Sequence, residues 1–137
     1  MRWLAVALLV LAPWPGAAAD LLARIDLSDQ DMTVFVEGRR AHQWPVSTAR
    51  PGKTTPTGLF HVQSMKRMHY STLYNNAPMP WSLFFSGNYA IHGTDQTERL
   101  GQPASAGCVR LYPEHAKTLY HLVLEHGRAE TLIEITR

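Results

Sequence analysis

"YAIHGTDQTERLGQPASAGCVRL", residues 89–111, holds the only cysteine of a 137-residue chain and, sixteen positions before it, a histidine at the end of an apolar run. Tyr89 to Ile91 read as a strand, and Gly93 after His92 lets the chain turn. A side chain at a strand end is fixed by the sheet yet open to solvent, which suits His92 to chemistry. Gly107 permits a tight turn whose backbone N–H groups surround Cys108, and such groups can hold an oxyanion. Arg110 follows the thiol by two residues on an extended segment, so both side chains point the same way. A guanidinium there can grip a substrate carboxylate and raise the local potential; the alternative use is an ion pair with a nearby acid.

The N-terminus bears on why that thiol is unpaired. "MRWLAVALLVLAPWPGAAAD" has one Arg, a nine-residue apolar run from Trp3 to Leu11, helix-breaking Pro13, Pro15 and Gly16, and small residues at Ala17 and Ala19. This is the pattern of a cleavable signal peptide, 1–19, with cleavage after Ala19. The run is shorter than the ~20 residues that span a bilayer; an uncleaved anchor or a buried first helix is the alternative. The expectation is export to the periplasm or cell envelope, with residues 20–137 as one domain. In an oxidising compartment Cys108 has no partner within the chain. It is then an inert buried thiol, an intermolecular bridge, or a nucleophile, and its neighbours favour the last.

Composition narrows the class. Hydrophobic residues are 45%, charged residues 18%, and the formal net charge is +2. That suits a packed core, and the unclustered basic excess gives no footing for nucleic acid. Residues 23–38 carry a strand alternation at Met32, Val34 and Val36, Gly38 with Arg39 makes a turn, and "AHQWPVST" returns as a second strand. Residues 49–58, "ARPGKTTPTG", are loop, and "LFHVQS" is a third strand. "SLFFSGNYAIHG" gives one or two strands ending at His92, and "TLIEIT" closes the chain as a strand. "YPEHAKTLYHLVLEHG" is the one strong helix, with Pro113 at its first position, Gly127 as its cap, and Ala116, Leu119, Tyr120 and Val123 as its apolar stripe. The predicted class is mainly β with one principal helix after the cysteine.

Residues 65–81, "MKRMHYSTLYNNAPMPW", show neither period. They read either as an irregular connection packed on the core or as a lid whose aromatics, Tyr70 and Trp81, contact substrate. The remaining histidines supply no metal site: His115, His121 and His126 do not share a helical face, and no other set has ligand spacing. Neither a metal nor an organic cofactor is implied.

"YAIHGT", "SAGCVRL", the upstream "VSTARPGKTTPTGLF" and "MPW", in this order, resemble the L,D-transpeptidase catalytic domain family, the YkuD type, over about Ala23 to Arg137. The resemblance implies a β-sandwich-like fold of mixed sheets and cysteine-based acyl transfer on peptidoglycan stem peptides. It implies cleavage after the third stem residue, a diamino acid, and release of the terminal D-alanine. The acyl group then goes to another stem's amine as a 3–3 cross-link, to a lipoprotein, or to water, in cell wall biogenesis and cell shape, and the site is one that carbapenems acylate. Carried over, Cys108 is the nucleophile, His92 the base, and the Gly93 carbonyl orients the imidazole. Gly107 and Cys108 supply the oxyanion donors, while Arg110 and Ser105 contact substrate and shape the site, in a chain expected to be monomeric.

One position departs: the family carries His before this Gly, and here it is Ala106, which cannot donate a hydrogen bond. The base role then rests on His92. A degenerate site would instead make a non-catalytic peptidoglycan-binding module, and the same residues would also serve an L,D-carboxypeptidase or endopeptidase. Sortase-like enzymes place the histidine farther upstream and a Thr before the cysteine, and NlpC-type peptidases place the cysteine first, so both fit less well.

Overall fold

The fold is taken from a computed structural model, which describes residues 19–137. The expected signal segment, 1–19, lies outside the described residues except for Ala19. Strand β1 (Leu21–Asp26) ends where the Asp26 carboxylate accepts the Ser28 hydroxyl at 2.8 Å and the Asp29 N–H at 3.1 Å. This local bracket turns the chain, so β2 (Asp31–Val36) folds back antiparallel on β1. The single run expected across 23–38 is therefore two strands. The next turn falls at Glu37 and Gly38, both at positive φ, one residue earlier than expected. That pair matches the twist of a two-residue hairpin, and β3 (Arg39–Pro45) returns along β2.

Of the expected third strand, LFHVQS, only Leu59 and Phe60 belong to a strand at this point, β4 (Gly58–Phe60), which also takes the last residue of the expected loop, and Ser64 opens the next strand. The stretch 65–81 is neither an irregular connection nor a free lid. Strand β5 (Ser64–Tyr70) pairs antiparallel with β6 (Pro78–Ser86), with a tip at 71–77. Two features hide this hairpin. β5 is a largely exposed edge strand, so it shows no apolar alternation. β6 contains Pro78 and Pro80, which are tolerated because that half pairs with β5 alone and meets β7 only from Leu83 onward.

Strand β7 (Tyr89–Gly93) is followed by a polar stretch and by β8 (Val109–Leu111), which pairs parallel with β7. Helix α1 (Pro113–His126) starts with Pro at its first position and stops at Gly127, whose N–H reaches the Val123 carbonyl at 2.8 Å. Strand β9 (Thr131–Thr136) closes the described chain. The strands form two mixed sheets, β3-β2-β1-β9-β4 and β5-β6-β7-β8. Both contribute to one core, with Leu21, Ile25, Met32 and Ile133 from the first sheet and Leu83, Phe85, Ile91 and Leu111 from the second. Ala116, Leu119, Tyr120 and Val123 of α1 complete it, the stripe expected from the helical period.

Within α1 the two faces differ enough to test. Leu119 is 1% exposed and Leu124 is 55% exposed. Leu119→Ala lowers unfolding free energy by about 2–5 kcal/mol in urea titrations, whereas Leu124→Ala stays within about 0.5 kcal/mol of the parent.

Candidate active site

The parallel register of β7 and β8 places His92 beside Arg110 and Gly93 beside Leu111. Cys108 precedes β8 by one residue, so it lies level with Ala90 and on the same face as His92 and Arg110. The spacing that looks long in sequence thus closes to neighbouring positions on two adjacent strands. His92 is 6% exposed, and its Nδ1 bonds the Gly93 carbonyl at 2.6 Å. A carbonyl can only accept, so Nδ1 carries the proton and Nε2 is left as a lone-pair acceptor. Cys108 is half-buried, and its thiol donates to the Asn88 carbonyl across 3.8 Å.

The turn before Cys108 is over-determined. Gly107 has φ 137, and a Cβ there would sit 2.6 Å from the Tyr89 ring and 2.8 Å from the Thr54 carbonyl. No side chain fits. The Ser105 hydroxyl accepts the Gly107 N–H at 3.0 Å and donates to the Cys108 carbonyl at 2.6 Å. Two expectations change accordingly. Ser105 lines the cavity wall but is 1% exposed, and its hydroxyl is engaged in bracketing the turn. The Gly107 N–H is engaged inside the turn, which removes it as an oxyanion donor and leaves that of Cys108.

The loop before β4, residues 49–57, supports the turn from outside. The buried Thr55 hydroxyl donates to the Gly107 carbonyl at 2.8 Å and accepts the Ala49 N–H at 3.0 Å. The Arg50 N–H reaches the Ser105 carbonyl at 2.9 Å. Ser47 and Arg110 exchange two backbone bonds, at 3.1 and 2.9 Å. Behind them, the buried Gln30 amide grips Thr48, from its Oε1 to the backbone and from its Nε2 to the hydroxyl. The sequence marks "KTTPTG" as loop only; nothing in composition reveals that Thr55 clamps the cysteine turn.

Cys108, His92, Arg110 and Ala106 face a cavity of about 610 Å³, walled also by the hairpin tip and by Arg50, His69, Asp95 and Gln96. Arg110 is not ion-paired; its Nη1 donates to the Gln96 amide oxygen at 3.3 Å. Tyr70 and Trp81 do not reach the cavity. Tyr70 is exposed at the end of β5, while its neighbours His69 and Ser71 line the wall. Trp81 packs edge-on against Tyr120 and against His121 of α1, beneath Lys117. The tip residues Leu73 and Tyr74 take the wall position expected of Tyr70 and Trp81. Among the other histidines, His42 and His115 stack on either side of Trp44, and His61 bonds the Thr131 carbonyl. Among the described residues no group of acids, histidines and cysteine has metal-site geometry.

Burial sets the protonation of the pair. It holds His92 down at about 4; the Gly93 carbonyl opposes this, and the charges of Arg110 and His69 add to it. Burial also raises the Cys108 thiol, against a backbone bond from Ala90 and the field of Arg110. Both shifts favour a neutral thiol beside a neutral imidazole.

A family model described as YkuD, L,D-transpeptidase catalytic domain, matches residues 21–134. A curated relative, the putative L,D-transpeptidase YkuD of Bacillus subtilis, is 23% identical over 103 residues, covering 72% of this chain and 58% of its own. An L,D-transpeptidase structure from Mycobacterium smegmatis superposes with a TM-score of 0.77 at 19% identity, covering 86% of this chain and 59% of the other. The structure of the LD transpeptidase LdtMt1 in complex with imipenem gives a TM-score of 0.76 at 20% identity, covering 85% and 59%. The chain therefore spans less than two thirds of each of these relatives.

Gly107 offers the sharpest test of the turn. Gly107→Ala meets both the clash and the positive φ, and it slows alkylation or acylation of Cys108 at least about tenfold, as read by intact-protein mass spectrometry. Thr55→Val keeps the shape but removes one clamp, and it lowers stability by about 1–3 kcal/mol.

Proposed function

We propose that this chain, which belongs to the L,D-transpeptidase catalytic domain family, is an active cysteine acyltransferase on peptidoglycan stem peptides. The observation that carries the reading is the Nδ1 bond from His92 to the Gly93 carbonyl, which presents Nε2 as a base on the face that bears Cys108. Position 106 takes no part in that bond, so Ala106 does not disable it. Binding without turnover is the outcome that would make the chain a wall-binding module instead.

The reaction would run through a covalent thioester. As the Cys108 sulfur attacks the carbonyl of the third stem residue, its proton passes to His92 Nε2. The Cys108 N–H holds the oxyanion, and the field of Arg110 favours the developing charge. Collapse expels D-alanine, whose amine takes the proton from His92. An acceptor amine then attacks the thioester, His92 removes its proton, and the thiolate leaves and is reprotonated. An amine from a second stem makes a 3–3 cross-link, a lipoprotein amine makes an anchor, and water makes a trimmed tripeptide. How well the hairpin tip excludes water decides among them. The apolar segment before Ala17 supports placing this work in the cell envelope after export.

A neutral resting pair needs its base in every turnover. Cys108→Ala abolishes turnover of a disaccharide tetrapeptide, and His92→Ala lowers it by about 10²–10⁴-fold, as measured by mass spectrometry of released products. A His92→Ala protein at wild-type rate would remove the assignment of the base.

The pH profile follows from the sign of the His92 shift. The residue's value is depressed to about 4, so its neutral, proton-accepting form persists well below the ordinary 6.5. Acylation by imipenem accordingly holds steady from about pH 8 to about pH 5 and falls through about pH 4. Arg110→Gln removes a charge that disfavours the imidazolium, and it moves this acid limb to higher pH.

A further inference from the structure

The cavity wall contains a cation that the proposed chemistry does not use. Arg50 is exposed, lines the cavity together with Arg110, and has its N–H fixed at 2.9 Å to the Ser105 carbonyl on the cysteine turn. Its own carbonyl accepts the Lys53 N–H at 2.9 Å, which closes the turn beneath it. The base of this side chain is therefore tied to the same loop as the nucleophile.

Neither guanidinium is neutralised. Among the described residues the one ion pair is Arg24 with Glu134, on the far sheet. Arg110 bonds the uncharged Gln96, and Asp95, the only acid lining the cavity, forms no ion pair with either arginine. Arg50 and Arg110 are close enough to oppose each other's charge. Asp95 attracts Arg110 without contacting it, so two like charges on one concave wall carry no ion pair and suit a ligand that brings anions with it.

A tetrapeptide donor, on the reading given above, offers two carboxylates near the scissile bond. One belongs to the departing D-alanine. The other lies at the end of the third residue's side chain, and it exists only when that diamino acid carries a free side-chain carboxylate. We propose that Arg50 is a specificity-determining residue that binds this second carboxylate. The cleft then selects stems with a free acid at the third residue over stems in which the group is amidated or absent. Arg110, two residues from the thiol, serves the carboxylate nearer the reacting carbonyl. A planar guanidinium pairs with a carboxylate through two parallel N–H bonds, whereas an amide presents only one oxygen to it and no charge.

The test separates binding from turnover. Cys108→Ala protein is titrated by calorimetry with two tetrapeptides that differ only in amidation of the third residue's side-chain carboxylate. The free acid binds at least about tenfold more tightly. Adding Arg50→Gln weakens the acid alone and narrows the ratio to less than about threefold, while Arg50→Lys restores part of it. Thermal melts of the three proteins check that each is folded. Equal affinity for the two stems, a ratio unchanged by Arg50→Gln, or no binding of either stem would overturn the proposal. Failure of the catalytic reading looks different: the preference persists in binding, yet the protein with Cys108 intact releases no D-alanine from the preferred stem.

Discussion

Parallel pairing of β7 with β8 is the constraint on which the site rests. His92 stands opposite Arg110 because two strands from distant parts of the chain share one register. A slip by one residue would send alternate side chains to opposite faces and separate the imidazole from the thiol. Several contacts oppose such a slip. Ser47 locks Arg110 from the other edge through paired backbone bonds. At the far end, a Cβ on Gly93 would lie 3.0 Å from Pro113 and 3.1 Å from Pro80, so that glycine lets β7, β6 and the start of α1 close together. The helix thus helps hold the strand that ends in His92.

Around this register the protein uses neutral hydrogen bonds in preference to charges. Ser105, Thr55 and Gln30 are all buried; Ser105 and Thr55 each make two side-chain hydrogen bonds, and Gln30 makes three. Such groups are costly if left half-satisfied, so the arrangement specifies one conformation of the loop. It also leaves the cleft's arginines without an ion-pair partner. The scaffold uses hydroxyls and amides to fix the loop, while Arg50 and Arg110 line the cavity.

Much of this was legible from residues 89–137. The helix, its proline and glycine ends and its buried stripe follow from spacing alone, and His92, Cys108 and Arg110 are singled out by their neighbours. The β5–β6 hairpin was not legible, because an exposed edge strand and a proline-bearing partner suppress the period-two signal. Without that hairpin, the sequence leaves Tyr70 and Trp81 either in an irregular connection or in a lid over the groove. Once the strands exist, Trp81, at φ 55, turns to α1, and the tip residues face the cavity instead. Ser105 and Gly107 stand out in sequence as neighbours of Cys108, but their roles depend on the hydrogen bonds made within the turn, which composition does not encode. Thr55 and Arg50 owe their positions to contacts about fifty residues away in sequence, which no local pattern encodes.

The raised thiol has a consequence of another kind. Peroxides and disulfides react with thiolate, not thiol, and Cys108 is held mostly protonated by its burial. Burial therefore works against sulfenic acid formation and disulfide exchange at this residue. The same burial that depresses the His92 imidazole therefore also disfavours the oxidisable form of the sulfur.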